Sequence, residues 1–175
     1  SLIYQGHIIQ LIKEVVEVDG RRFTRETIRH PGAAVIVPML DRTRIIFVRQ
    51  YRRSVKRWLI ELPAGTLNPG ESPITCARRE VEEETGWKPG KLHRLGKFYA
   101  APGSLNEELT IFLAENLKPG KVKLDTDEML TPVILTMNQA LTKIRTGAIR
   151  DAKTIIGLWW AQQTLAFRRS AMQGK

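Results

Sequence analysis

Cysteine is almost missing from this sequence. Cys76 is the single one among 175 residues, which excludes an internal disulfide and a cysteine-based zinc site. A reducing, cytoplasmic setting is therefore expected. Histidine is scarce too. His7, His30 and His93 are too scattered to form a ligand set, and each is expected in an ordinary strand or surface role. No run of 18 apolar residues occurs, so no membrane span is expected. The opening Ser1-Leu2-Ile3-Tyr4-Gln5 lacks a basic stretch before a small-residue cleavage site and does not read as a signal peptide. Repeats, low-complexity tracts and linkers are also lacking. With 42% hydrophobic and 26% charged residues, the chain is not disordered, collagenous or a coiled coil. Its length favours one domain.

Acids are outnumbered. Lys and Arg total 28 against 18 Asp and Glu, a net charge of +10. Nucleic-acid binding is one reading of that excess. An anionic small substrate suits it equally well, because net charge speaks to anionic partners in general. The distribution decides between them. From Glu71 to Glu84 there are five acids and two bases, a local net of −3, so the rest of the chain carries +13. One concentrated acidic site in a basic protein fits a metal-dependent enzyme acting on phosphates.

Short β-rich runs fill the first third: residues 6–11, 13–18, 23–29, 33–40 and 44–49. Ala33-Ala34-Val35-Ile36-Val37 is nearly all apolar, as expected of a strand buried on both faces. Residues 72–85 predict a helix, with Ser72 as N-cap, Pro73 at the first position and Gly86 just past the end. Strands are expected at 91–100, 108–115 and 132–135, and helices at 137–146 and 151–169 with Asp151 as N-cap. Residues 118–128 read as a polar loop. Together these elements predict a mixed α/β sandwich. Residues 1–30 could form a separate β layer before a main domain at 31–175.

The helix at 72–85 carries the chemistry. On a wheel, Glu80 and Glu84 lie about 40° apart and Glu83 about 60° to the other side of Glu80. Ile74, Ala77, Val81 and Thr85 form an adjacent stripe for docking on a sheet. A solvated acidic face is the plain alternative. Two features weigh against it. Glu80 and Glu84 repel at i, i+4, at roughly 0.2–0.5 kcal/mol. The acids also sit in the C-terminal half, where the helix dipole disfavours them. A divalent cation reverses both penalties, and clustered hard oxygens suit Mg²⁺ or Mn²⁺. The loop from Glu61 to Glu71 is punctuated by Gly and Pro. Its glycines permit unusual dihedrals and close approach of carbonyls.

The spacing is complete: Gly65, five residues, Glu71, seven residues, then Arg79-Glu80-Val81-Glu82-Glu83-Glu84-Thr85-Gly86-Trp87. It resembles the Nudix hydrolase signature, with Trp87 in place of the usual bulky aliphatic residue. The resemblance implies an α/β/α sandwich around a mixed sheet. It implies Glu80, Glu83, Glu84 and the Ala64 carbonyl as ligands for two or three Mg²⁺ ions. Arg79 would orient the glutamates, Glu83 would share in catalysis, and Gly65, Glu71 and Gly86 would hold geometry.

Pro102 follows Gly86 by 16 residues, within Tyr99-Ala100-Ala101-Pro102-Gly103-Ser104-Leu105-Asn106-Glu107. This is similar to the segment that marks the ADP-ribose pyrophosphatase subgroup, although Ala101 replaces its usual serine. The similarity implies hydrolysis of ADP-ribose, or a related nucleoside diphosphate sugar, to AMP and ribose 5-phosphate. It implies a homodimer in which the N-terminal β segment is swapped and completes the substrate site. Arg52 is the candidate phosphate or ribose contact, with Arg29, Arg25, Glu61, Pro102 and Gly103 as further substrate-side residues. Phe98, Tyr99, Tyr4 and Phe23 are candidate nucleoside neighbours. Glu128 is the expected general base, with Asp127 and Asp125 as alternatives. The competing functions are hydrolysis of dinucleoside polyphosphates or RNA 5′ ends, and an idle Nudix fold that binds nucleic acid. The intact carboxylates and Pro102 favour the sugar pyrophosphatase, without nucleic acid or membrane as partner.

Overall fold

The computed structural model describes residues 1–124 and 129–173. Its centre is strand β4, Ala33–Pro38, buried at every position. Successive side chains of a strand face opposite ways, and here both directions are apolar. Ala33, Val35 and Val37 pack with Ile111, Leu113, Leu158 and Ala161. Ala34 and Ile36 pack with Cys76, Ala77, Val81, Phe112 and Ala114. That alternation makes the sandwich. One cluster holds helix α3 (Ala152–Gln173), and the other holds helix α1 (Pro73–Thr85).

Three strands complete the β4 sheet. β10 (Glu108–Glu115) pairs with β4 in parallel, and β9 (Lys91–Tyr99) pairs antiparallel with β10. The three-residue β7 (Ala64–Thr66) lies on the other edge, with Ala64 opposite Val35. The sheet is therefore mixed, as the sandwich expectation required. A second sheet has the order β12-β5-β6, from Leu130–Thr136, Arg44–Arg52 and Arg57–Glu61. Helix α2 (Met137–Arg145) packs on β12 and α3. A small pair, β8 (Trp87–Lys88) with β11 (Lys118–Pro119), follows α1. No helix among the described residues is long and apolar enough to cross a membrane.

The N-terminal residues make a sheet of their own, β1-β2-β3, from Leu2–Gln5, Gln10–Val18 and Arg21–Arg29. Its bounds differ from the expected runs at 6–11 and 13–18. The turn falls at Gly6, whose N–H donates to Ile9 O at 2.8 Å, and one strand continues through the buried Ile12. This sheet joins the main body through the segment after Pro102. Ile28 N donates to Ser104 O at 2.8 Å, and Asn106 Oδ1 accepts from His30 N at 2.7 Å. Leu2, Ile3, Tyr4, Val15 and Val18 are all exposed.

Helix α1 carries the expected caps. Ser72 Oγ accepts from Thr75 N, Pro73 begins the helix, and Gly86 closes it at φ 75° with its N–H on Glu82 O. The docking stripe needs one correction. Ile74 is 46% exposed, and Cys76 is fully buried in its stead. Residue 74 lies in the first turn of the helix, and a wheel gives direction without the extent of the neighbour. Trp160 packs edge-on against Phe98 at 6.3 Å, while Trp159 remains exposed.

Candidate active site

Arg79 is the hub of the carboxylate helix. Its Nε and Nη2 donate to the two oxygens of Glu71, at 3.0 and 2.9 Å. Its Nη1 donates to Glu80 at 2.5 Å and to Glu83 at 3.1 Å. Glu71 Oε2 also accepts from Asn68 N at 3.0 Å. The loop before α1 is thereby tied to the helix by one bidentate pair. Hydrogen bonding to Arg79 holds the Glu71 carboxyl below its ordinary range, and the same bond raises the Arg79 guanidinium.

The two innermost carboxylates are nearly out of solvent: Glu80 is 8% and Glu84 2% exposed. Glu84 Oε2 accepts from Ala64 N at 3.3 Å. Glu80 lies directly over Gly65, where an added Cβ would sit 1.8 Å from Oε1 and 2.0 Å from the carboxyl carbon. Gly65 therefore serves space. Its φ is not among the positive values, which corrects the expectation of unusual dihedrals at this position. Glu82 points elsewhere, to Lys88 Nζ at 3.4 Å. Residues after β11 cover the end of α1: Gly120 N donates to Gly86 O at 2.8 Å and Lys123 N to Glu83 O at 2.9 Å.

A cleft of about 1160 Å³ opens beside this helix. Ala64, Gly65, Arg79, Glu80 and Glu83 line one side, and Arg29 and Arg52 line it as well. Glu84 lies behind Glu80, beneath Ala64. Other expected substrate residues stand elsewhere. Arg25 is exposed with its guanidinium 5.4 Å from the Phe23 ring centre. Pro102 and Gly103 are exposed in a turn. Tyr99 borders a smaller hollow of about 360 Å³. Tyr4 and Phe23 belong to the N-terminal sheet and do not line the cleft. Asp125, Asp127 and Glu128 lie outside the described residues. Gln5, His7, Gln10, Asn106 and Lys123 do line it. Sequence reasoning missed them as site residues, since they share no motif.

Glu61 is buried below the cleft at 1% exposure. Burial by itself would raise its carboxyl, but the bonds from Arg52 and the charge of Lys153 outweigh it and hold the group below the ordinary range. Arg52 is raised by the same hydrogen bonds.

The donor set fits hard divalent cations. All the groups are oxygens, and Glu71, Glu80 and Glu83 share the single Arg79 guanidinium, leaving an excess of negative charge beside the cleft. In this structure Glu80 and Glu83 turn onto Arg79, and among the described residues no three ligating groups converge on one point.

An acidic helix on a mixed sheet, facing a cleft with an arginine wall, defines the class. Residues 29–156 match the NUDIX domain, and the chain belongs to that family. It is 38% identical to an ADP-ribose pyrophosphatase of Bacillus subtilis, over 91% of this chain and 88% of that protein. It is 35% identical to a methanol dehydrogenase activator of Bacillus methanolicus over the same shares. It is 32% identical to a GDP-mannose pyrophosphatase of Escherichia coli, over 85% and 86%. A crystal structure described as an ADP compounds hydrolase shares the fold at a TM-score of 0.84 and 22% identity, covering 96% of this chain and 92% of the other.

Proposed function

We propose that the protein hydrolyses the diphosphate bond of ADP-ribose or a related nucleoside diphosphate sugar, releasing AMP and ribose 5-phosphate from ADP-ribose. The observation that carries this reading is the cleft itself, in which Glu80 and Glu83 share walls with Arg29 and Arg52. The named pyrophosphatase relatives support it. Arg52 and Arg29 bind the diphosphate oxygens. Ala64, through its carbonyl, and Glu80, Glu83 and Glu84 would hold divalent cations, Mg²⁺ first and Mn²⁺ second, two or three in number. When bound, these ions neutralise the diphosphate and lower the pKa of water. Arg79 orients Glu80 and Glu83, while Gly65, Glu71 and Gly86 keep helix and loop in register. Glu128 takes the proton of the attacking water. The hydroxyl adds to one phosphorus, and the other phosphate leaves with the bridging oxygen.

A substrate panel tests this. ADP-ribose, GDP-mannose, a dinucleoside polyphosphate and a capped RNA are compared by phosphate release with a coupled phosphatase. With Mg²⁺, the two sugar nucleotides are expected to lead the panel. EDTA should abolish turnover and added Mg²⁺ restore it. Preference for the dinucleoside or the RNA would refute the assignment.

The protein functions as a homodimer through residues 1–30. Their sheet buries one large apolar side chain, Ile12, and exposes Leu2, Ile3, Tyr4, Val15 and Val18, apolar side chains on both of its faces that a second copy of the chain would cover. Light scattering after gel filtration should give twice 19.9 kDa. A monomer at micromolar concentration would rule this out.

A further inference from the structure

Arg52 is held in the cleft wall by ion pairs that begin outside it. Its Nε and Nη2 donate to the two oxygens of Glu61, at 2.8 and 2.6 Å. Glu61 Oε2 also accepts from Lys153 Nζ. Lys153, in the first turn of α3, donates to Asp151 Oδ1 at 2.9 Å. Asp151 is fixed in turn, since its Oδ2 accepts from the amide and hydroxyl of Thr154 at 3.0 and 2.6 Å. The same hydroxyl accepts from Leu62 N at 2.8 Å. Two cations and two carboxylates thus join β5, the end of β6 and the start of α3 with no net charge.

The arrangement constrains Arg52 in two ways. The bidentate fork sets the plane of the guanidinium, and it uses Nε and one hydrogen of Nη2, so Nη1 and the second Nη2 hydrogen are left for a ligand in the cleft. The fork is only as fixed as Glu61. Lys153 on Oε2 stops that carboxylate from rotating, because any turn would cost the second ion pair in a site almost without water. Lys153 itself does not line the cleft.

On the diphosphate-sugar reading above, we propose that Lys153 is a positioning residue for substrate binding: through Glu61 it sets the Arg52 guanidinium that receives the diphosphate. Such an interaction is made alike in the ground and transition states, so its loss falls on KM. In Lys153→Met the KM for ADP-ribose should rise about tenfold, the size of one charged hydrogen bond. The kcat should stay within about twofold. Lys153→Arg keeps the cation and should restore KM.

A role confined to packing α3 would lower the melting temperature and leave KM alone. A double-mutant cycle with Arg52→Lys separates the cases. The double variant should have the KM of Arg52→Lys. Multiplying effects, or a wild-type KM in folded Lys153→Met, would overturn the proposal. If Lys153→Met does not fold, Lys153→Gln replaces it in the cycle. Wild-type turnover is the control. No turnover of any nucleoside diphosphate sugar would overturn the hydrolase reading and this proposal together, whereas turnover with an unmoved KM overturns the proposal alone.

Discussion

Glu80→Gln and Glu84→Gln should each lower the kcat for ADP-ribose by about 1000-fold, with the protein still folded. Loss of a contact that merely supports a metal ligand costs roughly 10–100-fold, and loss of one preorganised electrostatic group costs about 10²–10³-fold. A ligand carboxylate stands at or above the upper end. Folding should survive because the amide keeps the shape. In Glu84→Gln the side-chain oxygen can still accept from Ala64 N, a bond of 3.3 Å in the native chain. Each change also removes one member of a repelling i, i+4 pair, worth roughly 0.2–0.5 kcal/mol. Without metal, the melting temperature of Glu84→Gln should therefore hold steady or rise while turnover falls, whereas Glu80→Gln also loses its ion pair with Arg79 and should melt no higher than the wild type. With Mg²⁺, the wild type should gain thermal stability and the variants should gain less. Measured kcat within tenfold of wild type in both variants would remove these residues from the metal site.

Gly65→Ala should cost about 100-fold in kcat with little loss of stability. The new Cβ would meet the Glu80 carboxyl at 1.8–2.0 Å, far inside contact distance. The intruded atoms are the far end of a flexible side chain, so Glu80 swings away and the backbone stays. Displacing a reacting-site group by about 1 Å is enough for a 10²-fold loss. The effect should vanish in a Glu80→Gln background, since the group being displaced is already disabled. Kinetics of the two single variants and the double variant, with melting curves for each, check this. Full activity in Gly65→Ala would mean that Glu80 works from a different position.

Local signals made some of this molecule readable. Ser72, Pro73 and Gly86 delimit α1 because a cap, a fixed φ and a left-handed residue act within one turn of chain. β4 was readable because an apolar run has to be covered on both faces. The short β7 escaped notice, since three residues with a glycine carry no period. It exists because Ala64 finds Val35, 29 positions away. Spacing assigns Gly65 only to the geometry of the loop, whereas its specific reason is the carboxylate folded over it, which needs the third dimension. Glu61 is expected on the substrate side, and the structure adds a partner to it: Lys153 lies 92 residues along the chain, and nothing near Glu61 announces it. The acidic helix is legible because residues 80, 83 and 84 fall on one helical face by spacing alone.

Cys76 has a consequence beyond packing. Its thiol is fully buried, 3.4 Å from Gly65 O and 3.6 Å from Thr66 O. Burial and then the nearby Glu80 charge push it up to about 12. Almost no thiolate exists at neutral pH, so oxidants and alkylating reagents spare it while the loop is closed on α1. The lone thiol is consequently a built-in clock: the rate at which a thiol reagent consumes it reads how often the packing around the carboxylate helix opens.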